Sequence, residues 1–235
     1  MAERRITRKE LLKEPDEFLT TTGMVVQYVR TNPKPVIAGC VLFVIALVAV
    51  IGFLTLRKHQ EAQSLLLFEQ AMREYHNLLG SGEQVPPEQL DNVLKQFQTV
   101  ATDYGSFPAG EMALLYTGHV LYEKGDFKGA LEQYQRAQGT DLVKSGLGPL
   151  ILYHIASTRL ALKEYEAATA LFQQLSEDTN SPYRREASVT IARIYEMTGK
   201  SKEAAQAYKQ YLKMFPEAPD APFVRARLAD LAAKG

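Results

Sequence analysis

The chain has 235 residues, with 27 basic against 27 acidic side chains, 46% apolar residues and 23% charged. That is a globular composition, long enough for one or two ordinary domains, and it excludes disorder as the main state. Residues 57–235 carry twenty basic against twenty-two acidic side chains, so the long C-terminal part lacks the basic face that nucleic acid requires. Cys40 is the only cysteine, which removes disulfides, thiol catalysis and zinc–cysteine sites from that part.

Residues 1–35 mix charge with apolar residues and hold seven Lys or Arg against five Asp or Glu. Phe18, Leu19, Val25, Val26 and Val29 can share part of a helical face, compatible with a helix lying on a membrane. Thr20 to Gly23 is a poor helix centre, so the main expectation is a short cytoplasmic tail that supplies orienting charge. A docking site for a cytosolic partner is the other alternative.

Val36 to Leu56 is a run of 21 residues without a charge, fourteen of them Val, Ile, Leu or Phe. As a helix it reaches about 30 Å, the thickness of a bilayer core, so a single transmembrane helix over 36–56 is expected. Ile37-Ala38-Gly39-Cys40 imitates a lipoprotein cleavage box. Signal peptides, however, place about 7 to 15 apolar residues before the cut, and only Val36 to Gly39 precede Cys40. The expected outcome is an uncleaved anchor with Cys40 unmodified inside it. Basic residues are denser before the run than in the twenty positions after it (Arg57, Lys58 and Arg73), which points to a cytoplasmic N-terminus and an exported C-terminal domain. No turn signal separates Leu56 from Ala62, so the helix is expected to continue to about Leu79.

The remaining sequence repeats itself. "YTGHVLYEKGDFKGALEQYQRA" (Tyr116 to Ala137), "HIASTRLALKEYEAATALFQQL" (His154 to Leu175) and "TIARIYEMTGKSKEAAQAYKQYL" (Thr190 to Leu212) each read as helix, turn, helix. The turns centre on Gly125, Lys163 and Gly199. Small residues align at Gly118, Ala156 and Ala192 and again at Ala130, Ala168 and Ala204, followed by Tyr134, Phe172 and Tyr208. A small residue lets two helices approach, and the aromatic one turn later fills the gap between neighbouring pairs. No pair buries its face alone, so the pairs must stack. A weaker unit precedes them, from Ala62 to Leu79 and through "LDNVLKQFQTVATDYGSFP", with Phe97 standing where Tyr134 stands and "SGEQVPP" (Ser81 to Pro87) as the loop. Ala221 to Ala233 is expected to cap the stack through Phe223, Leu228 and Leu231.

This register resembles the tetratricopeptide repeat, with Pro216 at the repeat's terminal proline, although the repeat's tryptophan is absent and its eleventh position varies as Leu121, Arg159 and Tyr195. The fold expected is therefore all-α: one N-terminal transmembrane helix, a solenoid of helical hairpins and a terminal capping helix. The parts are a tail over 1–35, a span over 36–56 and a solenoid over 57–235. Within the solenoid fall a weak repeat at about 60–104, repeats at about 111–144, 149–181 and 185–218, and a cap over 219–235.

Enzymatic chemistry is not visible. His59, His76, His119 and His154 have neither HExxH spacing nor cysteine partners. There is no phosphate-binding or dinucleotide glycine loop and no nucleophile elbow, so no catalytic residue, metal or cofactor is expected. The resemblance places groove-facing positions at Leu115, Tyr116, His119 and Tyr122, then Tyr153, His154 and Ser157, then Val189, Arg193 and Glu196, a surface suited to protein contact. Several of these can equally pack between repeats. The basic and Asn residues with which some tetratricopeptide domains clamp a terminal carboxylate are missing.

Tail, single span and cysteine-free exported repeats together resemble the bacterial YfgM-type family of ancillary Sec translocon subunits. That resemblance implies an inner-membrane scaffold with a periplasmic C-terminal domain, working with a membrane-anchored periplasmic chaperone or prolyl isomerase on emerging polypeptides. A scaffold for pilus, cell-division or outer-membrane assembly is the alternative reading, and an unrecognised enzyme is a third.

Overall fold

A computed structural model describes residues 17–80 and 86–234. Most of "SGEQVPP" and the first half of the N-terminal tail lie outside the described residues. Among those described there are ten α-helices and no strand. The chain divides into two units, residues 1–59 and 60–235.

In the first unit, α1 runs Glu17–Thr31. It passes straight through Thr20–Gly23, where the sequence argued against a helix centre. The penalty of three threonines and one glycine is on the order of 2–3 kcal/mol, a local preference that the longer helical context overrides. Thr31 closes the helix by donating its Oγ1 to the Gln27 carbonyl at 2.8 Å. Asn32 separates α1 from α2, which runs Pro33–Gly80. Pro33 and Pro35 have no N–H, so two hydrogen bonds of a continuous helix are missing at this junction.

Helix α2 contains an 18-residue window of mean hydropathy 3.0, none of it buried, long and apolar enough to cross a membrane. Val41, Leu42, Phe43, Val44 and Ile45 are each at least half exposed. In water such a row of side chains would forgo the gain of burial, roughly 1.5–3 kcal/mol for each large one. Exposed apolar length of this kind suggests membrane anchoring.

The second unit is a helical solenoid in which helices pack against their neighbours in sequence. The end of α2 pairs with α3 (Pro87–Asp103), where Asn92 Nδ2 and Gln96 Nε2 both donate to the Glu74 carboxylate at 2.6 Å. Three hairpins follow: α4 (Pro108–Glu123) with α5 (Phe127–Gln138), α6 (Gly148–Ala161) with α7 (Tyr165–Glu177), and α8 (Arg184–Met197) with α9 (Ser201–Met214). Helix α10 (Ala221–Lys234) ends the described chain. Prolines open α3 and α4, at helix starts where their missing N–H costs nothing.

Each hairpin turns in the same way. Gly125, Lys163 and Gly199 adopt φ of 78°, 61° and 74°. In each turn this residue donates its N–H to a carbonyl three residues back, and the next N–H reaches five residues back at 2.8–2.9 Å. This is the left-handed cap that closes many helices. Two of the three positions are glycine, which adopts that conformation without a Cβ penalty; Lys163 adopts it at a cost.

The aligned small residues are where the helices touch. Ala130, Ala168, Ala204, Ala156 and Ala192 are wholly buried, and Tyr134, Phe172 and Tyr208 are each 1% exposed. A Cβ at Gly118 would fall 2.6 Å from Cε1 of Tyr134, so the first strong repeat needs glycine where the other two hold alanine. In α10 the inward stripe is Ala221, Val224, Leu228 and Leu231, spaced at helical period. Phe223, expected on that stripe, is 53% exposed, because one residue from Val224 rotates a side chain by about 100° around the helix.

Candidate protein-binding groove

The first helices of the hairpins, α4, α6 and α8, carry all the groove positions expected from the sequence. Burial sorts them. Leu115 is 1% exposed and Val189 is wholly buried, so both serve the core. Tyr116, His119, Tyr122, Tyr153, His154, Ser157 and Glu196 are half-buried, while Arg193 is exposed.

Aromatic rings link α2 to the loop before α8. Phe97 stacks on Tyr116 at 5.4 Å between ring centres, and Tyr75 and Phe68 meet Tyr116 edge-on at 6.2 Å and 5.5 Å. Tyr116 in turn meets His119 at 5.3 Å. His119 and His154 stand with their Nε2 atoms 3.1 Å apart. Tyr134 stacks on His154 at 5.1 Å, and Tyr153 stacks on Tyr183 at 4.7 Å. Pairs of this geometry contribute about 0.5–1.5 kcal/mol each beyond area burial, so the chain of rings stiffens the stack while leaving edges on its surface.

The titration behaviour of these groups follows from burial. Desolvation pulls His119 down to about 3, with the neighbouring His154 ring adding to the effect, and desolvation alone pulls His154 down to about 4. Both imidazoles are therefore neutral near pH 7. Tyr75 is pushed up to about 12 by burial and then by the charge of Glu123, and Tyr134 is raised further in the same direction. No phenolate forms at neutral pH.

The other end of the groove is ionic. Glu196 accepts from the Tyr208 hydroxyl at 2.9 Å and pairs with Arg227. Arg185 donates to Asp220 at 2.8 Å, and Asp220 also accepts from the Tyr211 hydroxyl. Arg193 lies over the Phe223 ring, 6.0 Å from its centre. Arg193, Glu196, Met197, Tyr208, Phe223 and Arg227 line an open cleft of about 540 Å³. Met197, Phe223 and Tyr183 were not among the groove positions expected from the sequence. The repeat register could have flagged Met197, one residue beyond Glu196, but Phe223 and Tyr183 lie outside the aligned helices.

Among the described residues, no cluster of three or more His, Cys, Asp or Glu side chains is arranged to hold a metal ion. Stacked helical hairpins with an open, aromatic-lined face define an α-helical repeat scaffold, a class that suggests protein–protein interaction and is typically non-catalytic.

The chain belongs to the tetratricopeptide repeat-like domain family, whose profile matches residues 27–233. Among solved structures it is similar to a putative kinesin light chain with nearly identical TPR-like repeats from Podosopora anserina. The identity is 15%, the coverage 73% of this chain and 86% of that one, and the TM-score 0.56. It is also similar to a tetratricopeptide repeat protein from Parabacteroides merdae, with 19% identity, coverage of 72% and 61%, and a TM-score of 0.54. These likenesses concern the fold alone. No match was found among curated proteins.

Proposed function

We propose that this protein is a membrane-anchored, non-enzymatic scaffold that holds protein partners at the periplasmic face of a bacterial inner membrane. In this reading it is an ancillary Sec translocon subunit of the YfgM type and works with a membrane-anchored periplasmic chaperone or prolyl isomerase. Residues 36–56 are the span, the N-terminus is cytoplasmic, and the groove positions on α4, α6 and α8 contact the partner. The observation that supports this reading is the occurrence in one chain of an exposed apolar segment of membrane-spanning length, one such among the described residues, and a repeat solenoid. Anchoring confines both scaffold and partner to the membrane surface, where a raised effective concentration makes modest groove affinity sufficient.

Crosslinking in intact cells followed by copurification of the full chain tests the partner. Recovery of translocon components with a periplasmic chaperone is expected. Recovery of pilus, cell-division or outer-membrane assembly proteins without the translocon would replace this reading with a scaffold for that machine. Topology is tested separately: protease added after the outer envelope is opened is expected to digest the C-terminal domain, and full protection would place that domain in the cytosol.

A further inference from the structure

Helix α10 closes the described stack, and the outer face of a terminal helix in a repeat protein is ordinarily polar. Phe223 departs from that rule, because it lies off the inward stripe of α10 and is 53% exposed. Among the described residues beyond Leu79, three large apolar side chains are exposed: Val143, Met197 and Phe223. The last two line the same cleft, with Tyr208 between them and an arginine on either helix, Arg193 on α8 and Arg227 on α10. Its volume of about 540 Å³ falls within the range of clefts that hold a compact ligand, roughly 300–1,000 Å³.

The charges of this cleft are not equivalent. Both oxygens of Glu196 are engaged, Oε2 by the Tyr208 hydroxyl at 2.9 Å and Oε1 by Arg227. Arg227 is shared further with Asp230 at 3.4 Å. Among the described residues Arg193 forms no ion pair. Its guanidinium lies over the Phe223 ring, 6.0 Å from the centre, and Met197 stands one helical turn further along α8 on the same side. The cleft thus offers one uncompensated cation beside two exposed apolar side chains.

We propose that this cleft receives an extended segment of a partner protein in which an acidic residue and a bulky apolar residue are two positions apart. In an extended chain such residues project from one side about 7 Å apart, close to the spacing of the Arg193 guanidinium from the Phe223 ring. The carboxylate pairs with Arg193, and the apolar side chain packs on Phe223 and Met197, whose ring and thioether suit aromatic or aliphatic contact. This assignment rests on the reading of the solenoid as a protein-binding scaffold and gives that scaffold a definite partner chemistry at one end of the groove.

The test uses the full chain in lipid nanodiscs and the end-capped peptide Gly-Ser-Asp-Gly-Phe-Ser-Gly, labelled with an uncharged dye. Saturable binding is expected, weakened when the peptide carries lysine for its aspartate or alanine for its phenylalanine. Arg193→Gln should weaken binding about threefold and remove the preference for aspartate over lysine. Phe223→Ser should weaken it about tenfold. Both side chains are surface groups, and the remote charge change Lys128→Gln should have no effect. Absence of saturable binding, equal affinity for the lysine peptide, or native affinity in Arg193→Gln and Phe223→Ser would each overturn the proposal. Self-association of the native chain in sedimentation, abolished by Phe223→Ser, would give the cleft to a second copy and overturn it as well. A cellular partner crosslinked equally by the native chain and Phe223→Ser would remove the cleft and leave the scaffold reading standing. Recovery of no partner by the native chain would count against the scaffold reading, while the peptide titration still decides the cleft.

Discussion

The junction between the first two strong repeats and the junction between the last repeat and α10 are two joints of one stack, held by different chemistry. The first is aromatic and neutral: Tyr134, His154 and His119 face one another, with Tyr116 on the outer side. The second is ionic: Glu196 with Arg227, and Asp220 with Arg185 and Tyr211. One backbone register supports both. The difference teaches that the small and aromatic positions fix how hairpins approach, while the groove-side positions are free to carry whatever chemistry the surface needs.

Truncating the aromatic joint should have the largest effect. Tyr134→Ala removes a ring that is 1% exposed and touches both histidines, and it is expected to cost about 3–5 kcal/mol in urea denaturation of the C-terminal domain. A loss below about 1 kcal/mol would mean that the neighbouring hairpins collapse to fill the gap, and that the joint is not the rigid contact described above.

Acid should separate the two joints by where each titrates. The folded state depresses His119 to about 3 and His154 to about 4, against an ordinary value of 6.5. The unfolded chain then binds more protons below that value, so the stabilisation is full above about pH 6.5 and is lost as pH falls. At Asp220, burial pushes the carboxyl up, but hydrogen bonds from Tyr211, the backbone and Arg185 outweigh it and hold the group below its ordinary range. Its contribution is present above the ordinary carboxylate value and disappears only under stronger acid. Denaturation midpoints at pH 7.5, 6 and 5 should fall for the native chain and fall less for His154→Gln; equal slopes would remove the histidine joint from the account.

The ionic joint should respond least. Glu196→Gln breaks a partly exposed pair and weakens one hydroxyl contact, which is expected to cost about 1 kcal/mol, and less at high salt. A cost equal to that of Tyr134→Ala would erase the distinction between the two joints.

Much of this architecture was legible in the sequence because it depends on local rules. The small and aromatic register marked the helix crossings, and Gly125, Lys163 and Gly199 marked turns that do adopt positive φ. The uncharged run and the lack of a turn after Leu56 implied the long helix α2. The contact between His119 and His154 was not legible, since 35 intervening residues carry no signal that two side chains share a point in space. Phe223 was misplaced because a 14-residue helix with apolar residues on several sides leaves its phase open until a neighbour selects one. Helix α1 was underestimated because propensity describes isolated residues better than helices set in a longer context.

The central claim is that the first helices present the partner-binding face. Photo-crosslinking side chains placed at Tyr122, Ser157 and Arg193, compared in intact cells with the exposed second-helix positions Lys128, Gln173 and Lys209, test it most directly. The account predicts adducts to an envelope protein from the first set and few from the second. Adducts confined to the second set would contradict it.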